Sequence, residues 1–438
     1  MAVTPFDSPL WRGLYGDAEV GALFSDAAEI RAVLLFEGAL ARVQARHGLI
    51  PETAAAAIDR AAAEVVLDPA ALAAGVAAAG VAVPALVEAF RAAMGAPEHA
   101  AWVHHGATSQ DAADTGLVLR LRRAVDVIDG RLEAVAAALA EKAGAEAETI
   151  MAARTRGRIA TPTTFGARIA VWRAPLLRCR ERLAEARPRV LRVSLAGASG
   201  TLAAMGPNGP AVAADLAKEL GLAHDAVPWH AARDGIAELG AILAMATGAL
   251  GKMGRDLIEM GAGPAAEAVA GAPGGSSTMP HKANPVGAET LVALARANAG
   301  LVGRLFEAQI AAAERDGAAW ALEWLTLPQI VVGAAAALRE ALTLAETLEA
   351  APEAMAAALA ATGGAALAEA AVFALAAHMP RPEAQALVKA AAAAAVSGGP
   401  DLRARLEAAT VASVDWDAVF DPARQLGAAP AIARGEGR

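Results

Sequence analysis

The sequence has almost no cysteine, few aromatics and no excess of positive charge. A single thiol, Cys179, excludes an internal disulfide and suits a reducing compartment. Its helical neighbours mark it as a small core residue rather than a nucleophile. Aromatics make up 4% of the chain although 56% is hydrophobic, so the core must be built from Ala, Leu and Val. Ala and Leu favour helices, and an all-α protein is expected. A net charge of −9 leaves no basic face for nucleic acid. A small anionic ligand must then be held by a few localised cations. The longest uncharged runs, 69–87 and 193–214, are rich in Ala and Gly and interrupted by prolines, unlike bilayer spans. No signal peptide opens the chain, so a cytoplasmic protein without a membrane partner is expected. No Cys/His cluster has metal-ligand spacing, and no metal or other cofactor is expected.

What the chain does have is helical periodicity. Asp26-Ala-Ala-Glu29 reads as a capping box ahead of Ile30, Val33, Leu34 and Leu40, with Gly48 and Pro51 as the stop. Val118, Leu121, Val125, Ile128, Leu132, Val135 and Leu139 recur at alternating spacings of three and four, a heptad seam. Phe165 to Leu183, with a kink predicted at Pro175, and Ile236 to Met260 repeat the pattern. Further helices are predicted near 286–312 and 322–349, and no strand alternation is found. The division is three domains: 1–103, a central bundle of five long helices over 104–350, and 351–438. Five long helices with Ala-rich faces predict a homo-oligomer whose bundles pack together.

Chemistry concentrates in the loop Gly274-Gly-Ser-Ser277-Thr-Met279-Pro-His281-Lys282-Ala-Asn284-Pro285. Two glycines allow close backbone approach to a ligand. Pro285 fits the start of a helix, whose N-terminus gathers partial positive charge beside Lys282 and Asn284. A hydroxyl and a fixed cation beside an anion site suit proton transfer at a carbon next to a carboxylate. A second loop, His104-His-Gly-Ala-Thr108-Ser109-Gln-Asp111, offers hydroxyls, helix N–H groups and an imidazole donor, although capping alone also explains Thr108, Ser109 and Asp111. A third holds Arg154, Arg156 and Arg158; surface arginines are usually only solvated, and it is the alignment of these three with a ligand-contacting loop, in the resemblance given next, that points them at a polyanion. Arg315 suits a bidentate carboxylate contact, or a salt bridge to Glu314, Asp316 or Glu323.

The first loop resembles the G-S-S-x-M-P-x-K-x-N-P signature of the fumarase/aspartase superfamily at every fixed position. His104 to Asp111 resembles its H-x-G-x-T-S-x-D signature, and Thr155 to Thr164 its T-H-x-Q-x-A-x-P-x-T signature. In the third, Arg156 replaces the histidine associated with acid catalysis and Arg158 the glutamine. The resemblance implies a homotetramer with a long central bundle and active sites built from loops of three subunits. It implies catalytic roles for Ser277, Lys282 and Asn284. Substrate contacts are implied for His104, Thr108, Ser109, Arg156, Arg158, Thr164, Ser276 and Met279, and Arg315 is added to them on its side-chain chemistry.

Arg156 narrows the reaction. Members that expel an amine or water need a proton donor, whereas a carboxylate leaves, or adds, without one. Arginine stays protonated and is no substitute acid. Phe24-Ser-Asp26, Gly197 to Leu202, Glu323-Trp324 and Phe420 to Gly427 resemble the branch of bacterial 3-carboxy-cis,cis-muconate cycloisomerases, where tryptophan usually stands at the Arg156 position. The implied substrate is a small polycarboxylate. A 3-sulfomuconate cycloisomerase, an adenylosuccinate lyase-type enzyme releasing fumarate and a catalytically silent structural protein remain alternatives. Glu289 is assigned an ion pair on its helix.

Overall fold

The computed structural model describes residues 4–262, 266–275, 278–279, 282–396 and 400–436. Long helices form its frame: α1 (Asp26–Arg46), α2 (Ser109–Ala145), α3 (Phe165–Val190), α4 (Asp234–Met260), α5 (Val286–Glu307) and α6 (Gly317–Glu346). Shorter helices lie before α2, between α3 and α4, and after α6. All seven predicted seam positions of α2 are at most 2% exposed, which is why this sequence winds as a single 37-residue helix. The predicted faces of α3 and α4 are buried in the same way, Cys179 with them. Helix α3 runs unbroken through Pro175.

The ends of the helices are set by side chains. The cap of α1 is Ser25, one residue before the expected Asp26, and its hydroxyl accepts from the Ala28 N–H at 3.3 Å. Helix α6 starts at Gly317, ahead of the predicted 322, because the Asp316 carboxylate accepts from the Ala318 and Ala319 N–H groups at 2.9 and 3.2 Å. Those bonds hold the Asp316 pKa below the usual carboxylate value. Helix α5 stops at Glu307, short of the predicted 312.

Two features correct the sequence reading. Strands β1 (Ile150–Thr155) and β2 (Arg158–Thr164) form an antiparallel hairpin, with Ile150 opposite Thr164 and Thr155 opposite Arg158. Its connection is the two residues Arg156 and Gly157, at φ 52° and 76°. Positive φ at both central residues is the turn geometry that matches strand twist. Arg-Gly is not its usual sequence, so local pattern did not predict it. A second short pair joins residues 268–269 to 349–350. In addition, α4 and α6 are long and apolar enough by length and composition to cross a membrane, although scattered charges keep them out of the longest uncharged runs. Within the protein, 61% and 67% of their apolar windows are buried.

The chain divides into two compact units, each described here by itself. One comprises Met1–Leu132, Arg178–Gly248 and Ala293–Leu338; the other comprises Glu133–Leu177, Ala249–Val292 and Arg339–Arg438. In the first, Phe36, Leu40, Ile58, Leu86, Phe90 and Leu216 form a core with no exposed surface beyond 1%. In the second, Leu375, Leu402, Leu406 and Trp416 anchor a core beneath the C-terminal helices.

Candidate active site

In the first unit, the site is arranged around Asp111, which is fully buried in the first turn of α2. Its Oδ2 accepts from the N–H groups of Thr108 and Gly197, at 2.9 and 3.0 Å. Its Oδ1 accepts from the Ala196 N–H at 2.8 Å and meets His230 Nε2 at 2.8 Å. The bond to Thr108 is the return half of a capping box, so the carboxylate closes the helix end and pins the 196–197 loop to it. With the cap supplied by Asp111, the hydroxyls of Thr108 and Ser109 have no partner among the described residues. Ser109 and His104 line one cleft of about 440 Å³ with Val83, Val87, Glu88 and Arg91.

His104 takes a left-handed backbone, φ 63°, and its Nδ1 donates to Glu37 Oε1 at 2.6 Å. Burial alone lowers the imidazole pKa. The charge and hydrogen bond of Glu37, with Asp111 behind, outweigh burial and Arg91, so His104 titrates above its ordinary range.

Arg315 is exposed and meets no carboxylate among the described residues. Its Nε donates to Gln110 Oε1 at 2.9 Å and an η nitrogen to the Ala198 carbonyl at 3.3 Å. The salt bridges weighed for it are not formed. Asp316 caps α6, and Glu323 is engaged by Arg233, with Nε to Oε1 at 2.8 Å. Arg233 also binds Asp114 at 2.6 Å, and this buried trio shares Trp320, whose indole donates to Asp114.

In the second unit, the three arginines of the hairpin separate. Arg154 pairs with buried Glu267 at 2.7 Å, whereas Arg156 and Arg158 stand exposed at the tip with no carboxylate partner among the described residues. Thr164 is fully buried, and its hydroxyl accepts from the Ala167 N–H at 3.1 Å, capping α3. The signature loop is closed by a backbone pair between Gly274 and Asn284, both bonds 2.9 Å. Lys282 is exposed, its N–H donating to the Met279 carbonyl at 3.0 Å, and Met279 is 43% exposed. Ser276, Ser277 and His281 lie outside the described residues. Glu289 forms no ion pair among the described residues; it sits in the first turn of α5, where the helix dipole already favours a carboxylate.

The family described as Lyase matches residues 19–300, and the one described as Adenylosuccinate lyase C-terminus matches residues 364–435. The 3-carboxy-cis,cis-muconate cycloisomerase of Pseudomonas aeruginosa is 43% identical over 424 residues, covering 94% of this chain and 92% of its own length. The chain belongs to the fumarase/aspartase superfamily. Among solved structures, the 3-carboxy-cis,cis-muconate lactonizing enzyme of Pseudomonas putida superposes with a TM-score of 0.90 at 39% identity, covering 97% of each chain. A fumarate lyase from Mesorhizobium gives 0.89 at 35% identity, covering 96% of this chain and 97% of its own.

The superfamily's signature positions thus fall into two sets. His104, Thr108, Ser109 and Arg315 belong to one unit, where among the described residues the two hydroxyls have no partner and the guanidinium meets no carboxylate. Arg156, Arg158, Met279, Lys282 and Asn284 belong to the other, with cations at exposed loop tips. The sequence reading missed Glu37, Gln110, His230 and Arg233, whose partners lie 67, 205, 119 and 90 to 119 residues away. No local pattern signals such pairs.

Proposed function

We propose that the protein is a 3-carboxy-cis,cis-muconate cycloisomerase, closing the tricarboxylate diene to 4-carboxymuconolactone. One substrate carboxylate adds to the conjugated double bond. Charge builds on the carboxylate beside the α-carbon as an enolate, which Lys282, Asn284 and loop N–H groups stabilise electrostatically. Ser277 delivers the proton to that carbon, with its hydroxyl made acidic by Lys282. Thr108, Ser109, His104 and Arg315 anchor carboxylates, Arg156 and Arg158 neutralise a further one, and Ser276, Met279 and Thr164 shape the loops that hold them. The reading includes a cytoplasmic homotetramer with sites shared between subunits, a three-part division at 103 and 350, and a place in aromatic-acid breakdown through β-ketoadipate.

The observation that carries it is the 43% identity over nearly the whole chain to an enzyme of that name. The Arg156 guanidinium at the hairpin tip, which meets no carboxylate among the described residues, is consistent with it, since a carboxylate nucleophile needs no base and its departure needs no acid. The test is loss of diene absorbance when purified protein meets 3-carboxymuconate. Ser277→Ala is expected to slow it at least about 10²-fold while the unfolding midpoint is kept. An unchanged rate removes Ser277 from the mechanism.

The match of residues 364–435 to the adenylosuccinate lyase C-terminus favours a second reading, elimination that releases fumarate. Fumarate appearing from adenylosuccinate, with no loss of diene, would install it instead. A higher kcat/KM for 3-sulfomuconate than for the carboxy substrate would change the substrate and keep the chemistry.

A further inference from the structure

Glu37 lies in the middle of α1, 1% exposed, among Phe36, Leu34 and Leu40 of the core. A carboxylate there is costly unless fully satisfied. Only Oε1 is engaged, by His104 Nδ1 at 2.6 Å; Oε2 is buried and has no partner among the described residues. A half-satisfied charge is a poor stabiliser of a core, so stability is not what it serves. Its single partner among the described residues is the imidazole that lines the cleft beside Ser109, on a residue whose backbone is left-handed. With Nδ1 committed, Nε2 is the ring nitrogen that has no partner among the described residues.

We propose that Glu37 is a positioning residue for the reaction: from inside α1 it fixes the His104 ring and holds it as an imidazolium, so that Nε2–H meets a substrate carboxylate in the cleft beside Ser109. This rests on the cycloisomerase reading for its substrate. The charged groups facing the ring are Glu37 from α1, Asp111 from α2 and Arg91 from the helix Val83–Met94, with Glu88 on the same cleft wall. The two carboxylates nearest in effect outweigh burial and Arg91, which is the direction an anion-binding imidazolium requires. His104 then supplies a cation as well as a donor, and its hold on substrate fades as pH rises through its titration.

The test pairs kinetics with a measurement that needs no substrate. In the wild type, kcat/KM should decline on an alkaline limb. Glu37→Gln should move that limb to lower pH, leaving kcat/KM at least about tenfold down at pH 8 through KM and largely recovered near pH 6. His104→Gln should abolish the limb, and adding Glu37→Gln to it should change nothing more. NMR titration of the wild-type His104 ring should give a midpoint above about 6.5. A midpoint at or below that value overturns the proposal, whether or not Glu37→Gln folds; so does an alkaline limb that Glu37→Gln leaves in place. Should the ring titrate high while the wild type fails to consume 3-carboxymuconate, the substrate assignment falls and the pairing of Glu37 with His104 stands.

Discussion

Arg233 and the arginines of the hairpin tip carry the same group in opposite settings. Arg233 is 4% exposed, clamped by Asp114 and Glu323 and stacked 4.7 Å over the Trp229 ring. Its pKa is raised: burial works against the charge, but the two carboxylates more than reverse it. Arg156 and Arg158 are exposed and meet no carboxylate among the described residues. Charge that is matched inside the protein belongs to the scaffold, and charge left unmatched at a loop is available to a ligand. Arg315 sharpens the contrast, because it sits in the same unit as Arg233 yet, among the described residues, is held only by an amide oxygen and a carbonyl. Neutral acceptors aim a guanidinium without cancelling its charge.

The comparison breaks most visibly at Arg233. Arg233→Leu strands two buried carboxylates and is expected to cost about 3–5 kcal/mol of unfolding free energy by urea titration. A loss under about 1 kcal/mol would mean that the trio is not a structural element. Arg315→Gln is expected to leave the urea midpoint close to wild type and to lower kcat/KM about 10²-fold on the tricarboxylate. Equal losses of stability at Arg233 and Arg315 would erase the distinction between them. The smallest effect belongs to the tip. Arg156→His should lower kcat/KM on 3-carboxymuconate by roughly tenfold, mainly through KM, because an exposed cation contributes less than an enclosed one. A large gain in kcat from that histidine would mean that the chemistry needs an acid at 156 after all.

The long helices and the three signature strings were readable because their signal is local. The seam of α2 from Val118 to Leu139 repeats within a few residues, and a burial face follows from it directly. The hairpin was not readable, since β1 and β2 are short and their turn uses Arg156 where Asn or Asp is usual. Asp111 was recognised as a capping residue, but its four partners come from three stretches of chain. Pairings such as Glu37 with His104 are made only when α1 meets the loop ahead of α2. Periodicity records which face of a helix is buried and carries no information about which polar atom waits on the other side.

The turn at the hairpin tip has a consequence for how such an enzyme changes its diet. Arg156 holds a left-handed conformation at some energetic cost, and the strands on either side, not the side chain, impose it. The tip is therefore a fixed pedestal on which one residue is exchanged without remodelling its neighbours. On the proposed reading of Arg156 as a substrate contact, a lineage moving between a carboxylated, a sulfonated or an uncharged substrate does so by altering what stands there.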